Sequence, residues 1–91
     1  MRYVVISYDI SDDRTRRRVA NVLADYGKRV QYSVFECRVD AKTLEKIITL
    51  LKPFAEGNDS IRVYQLCNAC VKKVVLLGWG ELTEVAKFHL V

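Results

Sequence analysis

The chain has 91 residues and a mass of 10.5 kDa, so it is one domain's worth of sequence and buries only a modest core. Hydrophobic residues make up 51% and charged residues 29%, a balance that excludes a disordered chain, and apolar runs such as Val74-Val75-Leu76-Leu77 are far too short to cross a bilayer. Fifteen Lys/Arg against eleven Asp/Glu leave a net charge of +4, which permits nucleic acid as a partner without requiring it.

Met1 is followed at once by strand-like sequence with no space for a signal peptide, so a cytoplasmic protein with no membrane segment is expected. Residues 2–9 are rich in β-branched side chains and predict a first strand. Ser11 is placed to cap the helix that follows, and Asp12 and Asp13 suit its positive N-terminal end. Val19, Val22, Leu23 and Tyr26 form one apolar stripe, and Gly27 reads as the residue that ends the helix. Residues 29–39 predict a second, long strand. Asp40 caps a second helix with the stripe Leu44, Ile47, Ile48 and Leu51, closed by Pro53 and Gly57. Residues 60–66 and 73–77 predict two more strands, Gly78-Trp79-Gly80 a turn, and residues 82–91 a short extra strand.

Taken literally this order is β-α-β-α-β-β. A break within residues 29–39 converts it to the ferredoxin-like β-α-β-β-α-β, although no Gly or Pro marks one. Either order gives an α+β domain with two helices on one face of a mainly antiparallel sheet. Val4, Ile6 and Tyr8 point to one face of the first strand, and Tyr3, Val5, Ser7 and Asp9 to the other. Two helices cover one face only, so the second face predicts a partner, and a twofold homodimer is the simplest one.

Chemistry concentrates in two places. Asp9 ends the first strand on the face assigned to the partner, where a carboxylate needs a counter-charge, a ligand or water. It reads either as a turn aspartate or as a metal ligand. Two copies in a dimer suit Mg²⁺, which takes one or two carboxylates with waters and activates water against a phosphodiester. The second place is Arg14, Arg16, Arg17 and Arg18, four arginines in five residues. Helical spacing puts Arg14, Arg17 and Arg18 on the solvent face and Arg16 beside the apolar stripe, with Asp13 placed to pair with Arg17. A solvated helix face and a phosphate-binding face both fit this pattern, and Lys28 and Arg29 extend it. Tyr32 and Phe35 read as core aromatics or as stacking surfaces for bases.

Three cysteines, Cys37, Cys67 and Cys70, do not make a disulfide framework. The C-x-x-C spacing of Cys67 and Cys70 leaves paired small thiols, a metal site shared between subunits or a redox pair open. No zinc site is expected within one chain, because a second such pair is lacking and His89 is the lone histidine.

The blocks Tyr8-Asp9-Ile10-Ser11-Asp12-Asp13, Arg16-Arg17-Arg18-Val19, Tyr26-Gly27 and Val30-Gln31-Tyr32-Ser33-Val34-Phe35-Glu36-Cys37 resemble the CRISPR-associated Cas-two family. Arg62-Val63-Tyr64-Gln65-Leu66-Cys67 and residues 74–78 fit the same pattern, so the likeness spans about residues 2–78. It implies a single ferredoxin-like domain over residues 1–91, with the β-α-β-β-α-β order, and a homodimer packed through sheet faces. Residues 79–91 would then be a C-terminal extension that adds a strand to the neighbouring subunit. It further implies that Asp9 is the catalytic residue and the ligand of Mg²⁺, or of another divalent cation such as Mn²⁺. Tyr8, Arg16, Arg18, Arg29 and Phe35 become nucleic-acid-binding or activity-supporting residues. The implied functions are spacer acquisition in antiviral defence with metal-dependent endonuclease activity on single-stranded RNA or double-stranded DNA, or a non-catalytic DNA-bridging scaffold for the Cas-one integrase.

Overall fold

Two aspartates start the two helices. In a computed structural model, which describes residues 1–67 together with 69, 73, 75 and 77, Asp12 accepts a hydrogen bond from Thr15 N at 2.8 Å and Asp40 one from Thr43 N at 2.7 Å. Each satisfies a backbone donor that the first helical turn leaves free. The elements run β1 (Arg2–Asp9), α1 (Asp13–Ala24), β2 (Gly27–Gln31), β3 (Val34–Val39), α2 (Ala41–Leu51), a 3₁₀ turn (Lys52–Phe54) and β4 (Ser60–Leu66). The strands form one four-stranded antiparallel sheet in the order β2-β3-β1-β4. This is the ferredoxin-like β-α-β-β-α-β arrangement.

Three local expectations are corrected. The single strand over residues 29–39 is a hairpin that turns at Tyr32-Ser33, preceded by a register shift between Arg29 and Gln31. The extra residue in β2 lets the chain reverse without glycine or proline. Asp12, not Ser11, caps α1, because the helix begins at Asp13 and so puts residue 12 at the position that meets the Thr15 amide. Ser11 instead donates through N and Oγ to Asp59 Oδ1, at 3.1 and 3.3 Å, tying the end of β1 to the turn before β4. Gly27 does not end α1. That helix stops at Asp25, and Gly27 opens β2, where a methyl group would collide with the Glu36 carbonyl and lie 2.5 Å from Cys37 Sγ. Its role is close strand packing rather than a left-handed backbone. Gly57, at φ 61°, does take the left-handed conformation in the turn after α2.

The core lies between the helices and one sheet face. Val4, Ile6, Tyr8, Phe35, Cys37 and Val39 from the sheet meet Val19, Leu23, Leu44, Ile47 and Leu51 from the helices. The other face carries Tyr3, Val5, Ser7 and Asp9 from β1, Val34, Glu36 and Arg38 from β3, and Ser60, Arg62 and Tyr64 from β4. Tyr3 is buried there and Val5 and Val34 are half-buried, whereas Asp9, Arg62 and Tyr64 are exposed. The charges from β3 and β4 make this face more polar than β1 alone suggests. Among the described residues, no helix is long and apolar enough to cross a membrane. The strand expected over 73–77, the turn at 78–80, the tail 82–91, Cys70 and His89 lie wholly or mostly outside the described residues.

Candidate nucleic-acid interface and carboxylate hollow

Alternation along β1 sends its last two residues to opposite faces. Tyr8 enters the core at 2% exposure, while Asp9 is exposed on the second face. The two halves of the expected site are therefore built separately.

On the helix side, the cross-strand pairing of Arg29 with Phe35 fixes where the Arg29 side chain starts. Arg29 Nε and Nη2 donate to the Tyr32 carbonyl at 3.2 and 2.7 Å, and Nη2 reaches the Tyr8 hydroxyl at 3.5 Å. That hydroxyl donates to the same carbonyl at 3.4 Å, and the Tyr8 amide donates to the Ser33 carbonyl at 3.0 Å. Tyr8 and Phe35 stack with ring centroids 6.3 Å apart. Arg16 approaches from α1. Its Nη1 donates to the Ile10 carbonyl at 2.9 Å and its Nη2 pairs with the Asp13 carboxylate. The Asp13–Arg17 pair expected from spacing is thus replaced by Asp13–Arg16, because Arg16 lies towards the sheet and Arg17 points to solvent. Asp13, Arg16, Arg17, Arg29 and Tyr32 line a hollow of about 410 Å³, three guanidiniums against one carboxylate. That excess of positive charge suits an anion with several oxygens, such as a backbone phosphate.

The structure brings Tyr8, Arg16, Arg29 and Phe35 together but not Arg18, which is exposed on α1 away from the hollow. Tyr8 and Phe35, at 2% and 3% exposure, support the arginines from beneath and present no ring to a base. Tyr32, for which a core place and a stacking surface were both open, is not in the core. It is 68% exposed at the hairpin turn, with the Arg16 and Arg29 guanidiniums 5.3 and 5.6 Å from its ring centroid. A turn within residues 29–39 was the signal needed to place it, and the sequence shows no turn residue there.

On the second face, Asp9 lines a hollow of about 300 Å³ with Ser7, Ser60, Arg62 and Tyr64. Strand register assembles it, since Asp9 faces Ser60 and Ser7 faces Arg62. The Asp9 carboxylate makes no hydrogen bond or ion pair among the described residues. The lining offers one carboxylate and hydroxyls, hard oxygen donors of the kind Mg²⁺ takes, with the Arg62 cation beside them. Among the described residues no group of three or more His, Cys, Asp or Glu side chains gathers into a complete cage. Cys37 lies in the core beside Gly27, where burial, with the Glu36 charge adding to it, pushes its thiol up to about 11. It is an inert core residue at neutral pH. Cys67 is exposed near Arg2 and Gln65 at the far end of β1.

Residues 1–74 match the family described as CRISPR associated protein Cas2. The chain belongs to the Cas2 family. A curated Cas2 relative from Chloroflexus aurantiacus, named a CRISPR-associated endoribonuclease, is 41% identical over 98% of this chain and 97% of its own. Another from Thermus thermophilus, named a CRISPR-associated endonuclease, is 37% identical over 98% of this chain and 96% of its own. The crystal structure of Streptococcus pyogenes Cas2 superposes with a TM-score of 0.71 at 35% identity, covering 84% of this chain and 99% of that one. A chain of a partial Cas6-RT-Cas1–Cas2 complex superposes with a TM-score of 0.62 at 32% identity, covering 81% and 88%. The ferredoxin-like architecture expected from the family blocks is the one observed.

Proposed function

We propose that this Cas2 family member serves spacer acquisition as a homodimer that holds nucleic acid and cleaves phosphodiester bonds at paired Asp9 carboxylates. The observation that carries this reading is Asp9 itself, an exposed carboxylate without a protein partner among the described residues, in a hollow with hydroxyls and Arg62 on the sheet face opposite α1 and α2. Asp9 from each subunit would hold Mg²⁺ or Mn²⁺. Such an ion, when bound, lowers the pKa of water and neutralises charge on the phosphoryl oxygens. Ser7 and Ser60 offer hydroxyls to orient waters, and Arg62 offers a cation to the phosphate beside Asp9. Arg16 and Arg29 grip the backbone on the helix side, and Arg18 adds a contact farther along α1. The relatives' names divide between endoribonuclease and endonuclease, so both RNA and DNA are taken as substrates to test.

The test is Asp9→Asn in rigorously purified protein. Loss of at least about a hundredfold of metal-dependent cleavage with unchanged nucleic-acid binding is expected; cleavage at the parent rate would refute the site. The neighbour within a Cas1–Cas2 complex favours a second reading, a DNA-bridging scaffold whose chemistry belongs to a Cas-one integrase. Spacer integration that persists with Asp9→Asn, in a chain that also lacks nuclease activity before the change, selects the scaffold.

A further inference from the structure

We propose that Tyr32 is a positioning residue, whose ring holds the Arg16 and Arg29 guanidiniums together as one receptor for a backbone phosphate of nucleic acid. This rests on the nucleic-acid reading above and assigns the part that organises it.

Tyr32 has no evident packing reason to be aromatic. It is 68% exposed at the tip of the β2–β3 turn, and its hydroxyl makes no hydrogen bond among the described residues. What the ring does touch is charge. Arg16 comes from α1 and Arg29 from β2, two neighbouring elements, and both guanidiniums lie over this ring at 5.3 and 5.6 Å. Each arginine has a tether of its own. Arg16 is held by the Ile10 carbonyl and Asp13, and Arg29 by the Tyr32 carbonyl and the Tyr8 hydroxyl. Those tethers fix each arginine to its own neighbourhood, and the ring is the contact common to both. Two guanidiniums converging on one exposed hollow repel each other, and their shared contact with an electron-rich ring offsets that repulsion. Flexible arginines lose rotamer freedom when they bind phosphate, so holding them in advance lowers the cost of binding. The ring adds no formal charge, so it should set affinity without changing the number of phosphates neutralised.

Binding of the full chain to a duplex DNA and to a single-stranded RNA, without divalent cation, tests this by fluorescence anisotropy across a salt series. Tyr32→Ala should weaken binding roughly tenfold for at least one probe, leaving the slope against log salt unchanged. Tyr32→Phe should stay within about twofold of the parent, because the ring remains. The probe that responds identifies whether DNA or RNA backbone occupies the hollow. Parent-like binding of both probes by Tyr32→Ala overturns the proposal, as does a Tyr32→Phe variant as weak as Tyr32→Ala. The double change Arg16→Ala, Arg29→Ala separates the two levels. If it leaves affinity and slope intact, the nucleic-acid reading of the hollow fails. If it lowers both while Tyr32→Ala is silent, only the positioning role fails. Unchanged thermal melting of Tyr32→Ala, expected for so exposed a side chain, shows that folding does not enter the comparison.

Discussion

Asp13 and Arg16 pair at the rim of the arginine hollow, so a phosphate arriving there competes with a carboxylate already in place. The pair is exposed on the Asp13 side, at 76%, and such pairs contribute little to stability. Removing the charge should therefore leave folding almost untouched and favour the ligand. Asp13→Asn is expected to tighten nucleic-acid binding several-fold at low salt and less at high salt, read by the same anisotropy titration. Weaker binding would show that Asp13 orients Arg16 rather than competing for it. The two capping aspartates make a different prediction. Hydrogen bonds from Thr15 hold the Asp12 carboxyl below its ordinary 3.8, and those from Thr43 do the same for Asp40. Both carboxyls are therefore ionised more readily in the folded state than in the unfolded one. Their contribution is fully present above 3.8 and disappears as pH falls through the lowered folded values. Asp12→Asn with Asp40→Asn should flatten the acid limb of a stability–pH curve measured by urea unfolding below about pH 4. A limb as steep as the parent's would assign acid sensitivity to other carboxylates.

Among the elements, β2 is the one whose character changed most between sequence and structure. The turn at Tyr32-Ser33 divides one expected strand into two, with a bulge before it and no glycine or proline within it. Periodicity could not reveal that turn, because both halves are β-like and the reversal is imposed by pairing with a neighbour. Gly27 was visible as punctuation but its reason was not. Its missing side chain admits the Glu36 carbonyl and the Cys37 sulfur from β3. Gly27→Ala should cost about 1–3 kcal/mol in urea denaturation, since backbone on the far side cannot yield as a flexible side chain would. An unchanged midpoint would mean that β2 shifts freely on the sheet edge. The helices were far more legible. Val19 and Leu23 of the first predicted stripe, and Leu44, Ile47 and Leu51 of the second, are buried, because 3.6-residue periodicity depends only on local geometry.

At the scale of the whole molecule, the described helices close one sheet face, and none of them packs on the other. Val5 lies half-buried on that face, flanked across the strands by Glu36 and Tyr64. If two copies meet there, a carboxylate at this position would face both Glu36 and the partner. Val5→Glu is expected to give a particle of 10.5 kDa by analytical ultracentrifugation where the parent sediments at about twice that, with metal-dependent cleavage lost alongside. A parent chain that sediments as a monomer would remove both the dimer and the shared Asp9 site.

Sequence alone determined the helices, their core stripes, the Asp40 cap, the two faces of β1 and the basic character of α1, all of which follow from spacing along one element. The family blocks around Tyr8-Asp9 and Tyr32–Phe35 also pointed to the ferredoxin-like order that counting strands did not. Tertiary structure decided the rest. Strand register put Arg62, Ser60 and Ser7 around Asp9, and the Ser11–Asp59 tie fixed that end of β1. Hairpin closure brought Tyr32 against arginines from two elements. These contacts join residues distant in sequence, and no local preference encodes which strand edge or which turn will meet them. The net charge of +4 was too small to name a partner, and only folding gathers three arginines into one hollow while leaving Asp9 on the opposite face.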